Sequence, residues 1–422
     1  MKLTALAIFI VMYVLMIAFS DYRPWFALGA AGIYLLLGVL PPAAVLTAIN
    51  WNVLLMMTGT MLIVYYFIES KMPNLLADFL LDLAPNVMWV TILMSLFSGF
   101  ISAFIDNVAT VLMVAPVGLA ICKKQGISPV GMTLAIAVSS NLQGAATLVG
   151  DTTSIMLGAY AGMDFTSFFF LDGKPSIFWA VELGAIGTIP IMMYLFRKDR
   201  QPVSGGEKTA VDDYVPTAAM LSMIFSLILI SFIPEKPETA NGLCCMFFAL
   251  LCILHDLFKT RKRIRLEKAV ASVDYQTLLL LIGLFVVIEG ITAVGIIDDL
   301  AGLIARSGGS SLFLLYTIIV WGSVLCSAFV DNIPYVATLL PVITQLTRTL
   351  GISPYLLYFG LLCGATLGGN LTPIGASANI TAVGLLRKAG YKVSFRDFAV
   401  IGIPFTLTAV LIGYLFIWFV WS

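Results

Sequence analysis

The chain has 422 residues, of which 60% are hydrophobic and 11% charged, and its mean hydropathy is +1.02. A soluble domain carries about a quarter charged residues, so the composition indicates a polytopic membrane protein. The formal net charge is zero, which gives no reason to expect nucleic acid as a partner, and the sequence lacks the P-loop that nucleotide-driven pumping requires.

Eight apolar runs approach the roughly twenty residues that a membrane-spanning helix needs. In chain order they are Leu3–Phe19, Trp25–Leu40, Val53–Ile68, Ile177–Phe196, Val215–Ile233, Asn241–Phe258, Gln276–Val294 and Phe398–Trp421. Two further segments, Met72–Ala84 and Ile296–Ser307, mix charged with apolar residues. We expect these two segments to form amphipathic helices at the membrane interface.

A sequence repeat divides the chain into two halves. The residues SAFIDN at Ser102–Asn107 recur as SAFVDN at Ser327–Asn332, 225 positions later. The same offset also pairs Pro116 with Pro341, Thr147 with Thr372 and Gly150 with Gly375. An ungapped offset over about fifty residues indicates an internal duplication. We expect a first repeat over residues 1–200, a cytoplasmic linker over 201–214 and a second repeat over 215–422.

Each repeat contains two apolar regions that are interrupted by polar residues. Regions 87–122 and 312–347 are predicted to be re-entrant helical hairpins whose tips hold Asp106-Asn107 and Asp331-Asn332. The next region of each repeat is predicted to be a spanning helix that unwinds at its glycines and prolines. Unwound backbone at that depth is tolerated only where it faces protein or a watery cavity.

The predicted fold is an all-α membrane protein of two inverted repeats. Each has about five spanning helices, a re-entrant hairpin and a broken helix. Five spans and a hairpin give an odd number of crossings, so the second repeat should be inverted. With the basic loop 259–268 placed in the cytoplasm, 18 of the 23 Lys and Arg residues fall inside and 5 outside. Both termini are then outside, and the two hairpins enter from opposite sides.

The polar residues at the predicted breaks are the candidate ion- or substrate-binding site. An ionisable residue within the membrane marks a transport pathway by default, and half-helix ends offer unpaired backbone groups to an ion. Helix capping is the alternative explanation for Asp and Asn at a break. Asp151 has no acidic counterpart, because its repeat mate is Ala376. The full set is Asp106, Asn107, Thr110, Thr147, Gly150, Asp151, Thr152, Ser154, Asp331, Asn332, Asn370, Thr372, Gly375, Ser377 and Asn379.

Three segments carry a resemblance to a known family: SAFIDNVATVLMVAPV, SAFVDNIPYVATLLPV and LGGNLTPIGASANITAVGLLRKAGYKVSF. They resemble the ion transporter superfamily, in the branch of arsenite and antimonite efflux permeases, pink-eyed-dilution-type permeases and D-type sodium/proton antiporters, with a citrate-transporter-like domain. The resemblance implies a scaffold domain and a mobile transport domain, each drawn from both repeats, in a homodimer. It also implies an ATPase partner if the chain is of the arsenite pump type.

One departure from related symporters bears on the cargo. Related dicarboxylate symporters carry Ser-Asn-Thr at each hairpin tip, whereas here Asp106 and Asp331 replace the serine, and Val108 and Ile333 the threonine. Two fixed acids would repel a dianion unless they are protonated or paired with cations. The leading hypothesis is proton-coupled efflux of an inorganic species such as arsenite or antimonite.

Three alternatives remain open: a sodium/proton antiporter, an anion or di/tricarboxylate symporter, and a passive channel. No cofactor is expected, and an enzyme is not expected, because no nucleophile–base pair or metal cluster accompanies the acids. The coupling ion is a proton or sodium, and sodium would bind at Asp106, Asn107, Asp331 and Asn332. The expected location is the inner (plasma) membrane, with the lipid bilayer and a small inorganic or organic ion as partners.

Overall fold

The computed structural model describes residues 1–203, 208–260, 263–308 and 311–422, and these residues are predominantly helical. The helices of the first half are α1 Lys2–Ala18, α2 Arg23–Leu36, α3 Val45–Ala48, α4 Trp51–Glu69, α5 Met72–Leu83, α6 Val87–Ser102, α7 Asn107–Gln125, α8 Val130–Gln143, α9 Thr152–Ala161 and α10 Ile177–Leu195. A small hairpin of two-residue strands, β1 Phe170–Leu171 and β2 Lys174–Pro175, joins α9 to α10.

The second half repeats this order. Its helices are α11 Val215–Ser231, α12 Ala240–Thr260, α13 Arg263–Ala271, α14 Tyr275–Ala293, α15 Ile296–Gly308, α16 Leu312–Ser327, α17 Asn332–Leu350, α18 Tyr355–Gly368, α19 Ser377–Lys388 and α20 Phe395–Trp421. Short 3-10 turns cover Ser20–Tyr22, Pro42–Ala44, Gly144–Ala146, Thr166–Phe168 and Gly369–Leu371.

The architecture confirms the predicted fold class. Helices α6 and α7, and likewise α16 and α17, are separated by four residues at the predicted hairpin tips. The pairs α8/α9 and α18/α19 are interrupted at the predicted glycines, and α5 and α15 occupy the segments predicted to be amphipathic. By length and apolarity alone, six helical stretches in the described residues could span a membrane, and five apolar helices are shorter.

The repeated sequence produces the same local geometry in both halves. Helices α7 and α17 both end at glycines in the left-handed region, Gly126 at φ 66° and Gly351 at φ 65°. A residue with a side chain is strained in that conformation, so glycine is the natural helix terminator there. The prolines Pro129 and Pro354 then precede the first residues of α8 and α18.

The helices form two groups by packing. A flanking group consists of α1, α2, α4, α11, α12 and α14, in which α2 packs on α14 and α4 on α12. A central group consists of the two hairpins, the two broken helices, α10 and α20, in which α6 packs on α8, α16 on α18, α10 on α20 and α8 on α19. Both groups draw on both halves of the chain, so neither half is a separate domain.

Glycines allow the flanking helices to approach closely. A Cβ built on Gly283 of α14 would lie 2.7 Å from the carbonyl carbon of Ala27 in α2. A Cβ on Gly59 of α4 would lie 2.6 Å from the carbonyl carbon of Cys245 in α12. Backbone contact of this kind drives helix association in lipid, where apolar burial alone gives no preference for a protein neighbour.

These contacts also fix the direction of the helices. Read in chain order, the facing pairs are Ala27 with Gly283, Tyr34 with Gly290, Leu55 with Gly242, and Gly59 with Cys245. Helix α2 therefore runs parallel to α14, and α4 runs parallel to α12. After α2, the chain lies beside the end of α14. It then reaches the start of α4 through α3, which also packs on α14. We call the end where α2 and α14 begin face A, and the end where α4 and α12 begin face B.

The described part of the predicted linker is tied to α12. Burial alone would raise the pKa of Asp213, but hydrogen bonds from the Val215 N–H, Lys259 and His255 lower it to about 2. This attachment therefore stabilises the fold at neutral pH, and its contribution is lost as the pH falls from about 4 to about 2. Residues 204–207 of the linker and 261–262 of the predicted basic loop lie outside the described residues, and the domain boundaries stay a prediction.

We expect Gly283→Ala to destabilise the protein by about 1–3 kcal/mol, because the added methyl group meets backbone that cannot rotate away. Gly32→Ala in α2 is the matched control, since nothing lies within 4 Å of its added methyl group. The control should be neutral or stabilising by up to about 1 kcal/mol, because alanine favours a helix over glycine. Thermal unfolding in detergent measures both, and equal melting temperatures for the two variants would contradict the close helix packing.

Candidate functional site

Both hairpin aspartates cap the helix that follows them. Asp106 accepts hydrogen bonds through Oδ2 from the amides of Val108 at 3.0 Å and Ala109 at 3.1 Å. Asp331 accepts one through Oδ1 from the amide of Ile333 at 3.1 Å. Capping supplies partners for the first amides of α7 and α17, which have none within the helix. The capping explanation is thus correct in part, and each carboxylate keeps its second oxygen for other partners.

The two aspartates differ in the partners of the carboxylate oxygen that does not cap a helix. Asp331 accepts a hydrogen bond at 2.8 Å from Nη1 of Arg23, the first residue of α2, and one at 3.4 Å from Ser377 Oγ. Sequence reasoning missed Arg23 as a site residue, because it precedes Asp331 by 308 positions and belongs to the other repeat. Among the described residues, no cationic side chain lies within ion-pair distance of Asp106. Within the described residues, the second hairpin acid is therefore paired with a cation and the first is not.

Asp151 joins the two repeats at the first broken helix. It is 4% exposed, and its Oδ2 accepts hydrogen bonds from Thr153 Oγ1 at 3.0 Å and from Asn332 Nδ2 at 3.3 Å. Asn332 lies at the second hairpin tip, so a tip residue of one repeat and a broken-helix residue of the other are in direct contact. Thr153 Oγ1 lies 3.1 Å from Thr366 Oγ1, which extends the network into α18.

A second network of amides links the other tip to the second broken helix. Asn107 Nδ2 donates to Asn141 Oδ1 at 3.0 Å, and Asn141 Nδ2 donates to the carbonyl oxygen of Thr366 at 2.7 Å and to Asn370 Oδ1 at 3.1 Å. Asn370 Nδ2 donates to the carbonyl oxygen of Val138 at 2.8 Å. These five residues come from both repeats and are all buried, so the amides fix the relative position of the two broken helices.

Asn379 extends this network and keeps one acceptor free. Its Nδ2 donates to Asn370 Oδ1 and to the carbonyl oxygen of Gly369, both at 3.2 Å. Its Oδ1 is buried without a hydrogen-bond partner among the described residues. A buried acceptor without a partner carries a desolvation penalty, which a bound donor or cation would relieve.

Asn141 and Thr366 are site residues that the sequence analysis overlooked. They occupy equivalent positions of the two repeats, because 141 plus 225 is 366. Both are polar, fully buried and placed near the end of the helix that precedes the broken segment. The signal was therefore present in the sequence, as a pair of polar residues in the same register of α8 and α18.

Each unwound segment packs a glycine against the neighbouring hairpin tip. A Cβ on Gly150 would lie 2.6–2.7 Å from the carbonyl oxygens of Gly144, Ala103 and Ser102. Thr147 Oγ1 donates to the carbonyl oxygen of Ala103. The same arrangement recurs in the second repeat, where the partners are Gly375, Gly369, Ala328, Ser327 and Thr372. Three carbonyl oxygens thus converge beside each tip, in a geometry that only glycine permits.

The remaining predicted residues lie at the edge of these networks. Thr110 Oγ1 donates to the carbonyl oxygen of Asp106 at 3.0 Å, and Ser154 Oγ donates to the carbonyl oxygen of Gly144 at 3.4 Å. Thr152 is buried as the first residue of α9. In the described residues, no group of three or more His, Cys, Asp or Glu side chains is placed to hold a metal ion.

We expect Gly150→Ala to reduce transport by at least about tenfold, a factor equivalent to ~1.4 kcal/mol, because its methyl group would push the first hairpin tip away from the broken helix. Gly384→Ala in α19 is the control, since its methyl group meets nothing within 4 Å. Solute flux into liposomes measures the effect. Wild-type flux in Gly150→Ala would show that the contact between tip and broken helix is not needed.

Comparison with known proteins points to membrane transport. Residues 11–359 match the CitMHS family, described as citrate transporter. An uncharacterized transporter of Mycobacterium tuberculosis is 28% identical over 432 aligned positions, which cover 99% of this chain and 98% of that protein. The human P protein is 25% identical over 453 positions, covering 86% of this chain and 53% of the P protein.

Two solved transporter structures share the fold. The YdaH transporter of Alcanivorax borkumensis, described as having an unusual topology, superposes with a TM-score of 0.59 at 12% identity, covering 89% of this chain and 86% of that one. MtrF of Neisseria gonorrhoeae, described with a class of antimetabolite efflux pumps, gives a TM-score of 0.56 at 15% identity, covering 92% and 84%. At these identities the likeness establishes the architecture and leaves the cargo open.

Proposed function

Because this chain belongs to the CitMHS citrate transporter family, and is thus a membrane transporter, we propose that it works as a proton-coupled secondary transporter with Asp151 as the coupling carboxylate. The observation that carries the proposal is the environment of Asp151. This acid is buried at an unwound helix, is bound by Thr153 and Asn332, and has no cationic partner within ion-pair distance among the described residues.

A buried carboxylate without a counter-ion is far more costly charged than protonated. Asp151 therefore suits the role of a group that takes up a proton when it is enclosed and releases it when water or cargo reaches it. Coupling needs the binding of the proton and the binding of the cargo to depend on each other. This condition is met when the two compete for one group or when each requires the other. The contact with Asn332 of the opposite repeat supports this role, because movement of the second hairpin would alter the surroundings of Asp151 directly.

The charges around the site favour a neutral or cationic cargo. In the described part of the two networks, the side chains are one carboxylate with amides and hydroxyls, and the nearby guanidinium of Arg23 is already paired with Asp331. A dianion would meet no free positive charge there. We therefore place efflux of an inorganic hydroxide such as arsenite or antimonite first, and sodium/proton exchange second.

One observation supports sodium as the coupling ion in the second candidate. The hydroxyl of Ser102, at the end of α6 before the first hairpin tip, is buried without a partner among the described residues. Hard cations prefer such oxygen ligands. The third candidate, transport of a di- or tricarboxylate as the family description suggests, would require Arg23 to leave Asp331 and bind the anion.

The experiment that tests the proposal uses purified protein in liposomes with a pH-sensitive dye inside. Arsenite, sodium, lithium, citrate with and without Mg²⁺, and sulfate are added in turn. Proton movement that depends on one cargo identifies that cargo. Uphill cargo movement driven by an imposed pH gradient separates a coupled transporter from a passive channel. Cargo flux without any proton movement would refute proton coupling.

The other sequence-based expectations stay predictions. These are the location in the inner (plasma) membrane with both termini outside, the homodimer, and an ATPase partner in the arsenite pump type. The scaffold would correspond to the flanking group of helices and the transport domain to the central group, with alternating access produced by their relative movement.

We expect Asp151→Asn to make any remaining transport insensitive to pH. The amide keeps the size of the side chain and can still contact Thr153, but it cannot exchange a proton. The transport rate of the wild type should change by up to about tenfold per pH unit on one side of the titration of the coupling carboxylate, because a single proton is exchanged.

The matched control is Ala376→Ser, which adds a hydroxyl at the equivalent position of the second repeat and should keep the pH profile of the wild type. Initial rates from pH 5.5 to 8.5 in liposomes provide the comparison. If Asp151→Asn retained the wild-type profile, Asp151 would not be the coupling group.

A further inference from the structure

The two hairpin tips both lie towards face A of the flanking group. Asp331 is bound by Arg23 at the start of α2, and the hydroxyl of Tyr13 donates to the carbonyl oxygen of Pro334 at 2.6 Å. Asp274, which caps the start of α14, is close enough to Asp106 to interact with it electrostatically. Since α2 and α14 both begin at face A, the central group is displaced towards that face.

Face B shows the complementary feature, a cavity of about 720 Å³. One wall is formed by the starts of α4 and α12 and by the loop before α12, which carries Lys236. The other wall is the first broken helix, including Leu148 and Ile155. Leu148 lies two residues before Gly150, against which the first hairpin tip packs. The cavity therefore separates face B of the flanking group from the part of the central group that supports Asp106.

The repeat relates these two ends to each other. Helix α12 is the counterpart of α2, so the loop before α12, residues 232–239, corresponds to the segment that leads to Arg23. Lys236 is the only Lys or Arg in residues 232–239. In the structure it forms an ion pair with Asp164 and also donates to the carbonyl oxygen of Ile230 at 3.2 Å. The acids Glu235 and Glu238 flank it in sequence.

We propose that the flanking group holds the two hairpin aspartates alternately, Asp331 by Arg23 in the state seen here and Asp106 by Lys236 in the opposite state. In inverted-repeat transporters the two access states arise when the repeats exchange their conformations. When the repeats exchange their conformations, the contact between the second tip and the start of α2 is lost. The equivalent contact then forms between the first tip and the segment before α12. Lys236 then leaves Asp164 for Asp106, and the face B cavity closes while an equivalent one opens at face A.

This exchange gives both acids a defined role in the transport cycle. Each carboxylate is paired with a cation when its tip reaches the flanking group, and it loses that cation when the central group moves away. The two ion pairs compete, because the central group cannot be at both faces. The inference rests on the proposed function for its two access states, but the residues that it names take no part in binding the proton at Asp151.

Cross-linking of cysteine pairs tests the exchange without knowledge of the cargo. In a variant whose six native cysteines are replaced, the first pair is Arg23→Cys with Asp331→Cys, and the second is Lys236→Cys with Asp106→Cys. The mismatched controls are Arg23→Cys with Asp106→Cys, and Lys236→Cys with Asp331→Cys. The protein is treated with Hg²⁺ in membrane vesicles, and cross-linked product is measured by protection of both thiols from a maleimide reagent.

We expect both matched pairs to become protected and both mismatched pairs to stay reactive. Protection of Arg23→Cys with Asp331→Cys, together with a Lys236→Cys/Asp106→Cys pair that stays reactive during hours of incubation with Hg²⁺, would overturn the proposal. Equal protection of matched and mismatched pairs would overturn it as well, because contact would then be unspecific.

A second measurement covers the case in which the cysteine variants do not fold. Lys236→Asp and Asp106→Lys should each reduce transport, and the combined exchange should restore it in part, whereas Lys236→Asp with Asp331→Lys should not. If only the mismatched combination restored transport, the assignment of partners would be wrong. Normal proton coupling at Asp151 without any of these effects would refute the exchange alone and leave the proposed function intact.

Discussion

The structure depends on one constraint, which is that backbone amides and carbonyls need partners wherever a helix ends inside an apolar environment. Eight helices end or begin in this way, α6, α7, α16 and α17 at the two hairpin tips and α8, α9, α18 and α19 at the two unwound segments. Asp106 and Asp331 supply acceptors for amides, while Thr147 and Thr372 donate to carbonyl oxygens of the adjacent tips. The unusual residues of the chain are therefore concentrated where the backbone is broken, and the same broken backbone offers groups that an ion can bind.

Departures from the repeat symmetry are informative, because the order of the helices and the geometry at their breaks recur in both halves. The first broken helix carries an acid and the second an alanine at the equivalent position, Asp151 and Ala376. The amide of Asn141 has a hydroxyl as its counterpart, at Thr366. Two equivalent cradles of carbonyl oxygens are thus combined with different side chains. A duplicated scaffold can in this way bind two different species, one beside a titratable side chain and one at a place without such a side chain.

The sequence was sufficient for the helices, the hairpins and the breaks, because the 225-residue offset aligned each polar interruption with a second copy of itself. It also predicted that tip and broken-helix residues lie near each other, since inverted repeats bring their breaks together, and Asp151 and Asn332 are indeed in contact. It could not reveal Arg23 as the partner of Asp331, because that contact joins residues 308 positions apart in two different helix groups, and no local pattern relates them. Asn141 and Thr366 could have been found from their shared register, but isolated polar residues in apolar helices resemble ordinary helix–helix contacts.

The glycine-mediated pairs of the flanking group have a consequence for how the chain assembles. Each pair contains one helix from either half, with Gly283 against Ala27 and Gly59 against Cys245. During synthesis, α2 and α4 therefore enter the membrane long before their partners exist, with surfaces shaped for close protein contact exposed to lipid. Stable assembly has to wait until α12 and α14 are inserted. A nascent chain that stops after the first half would remain an unfinished intermediate, open to quality-control proteases and to mispairing with another copy.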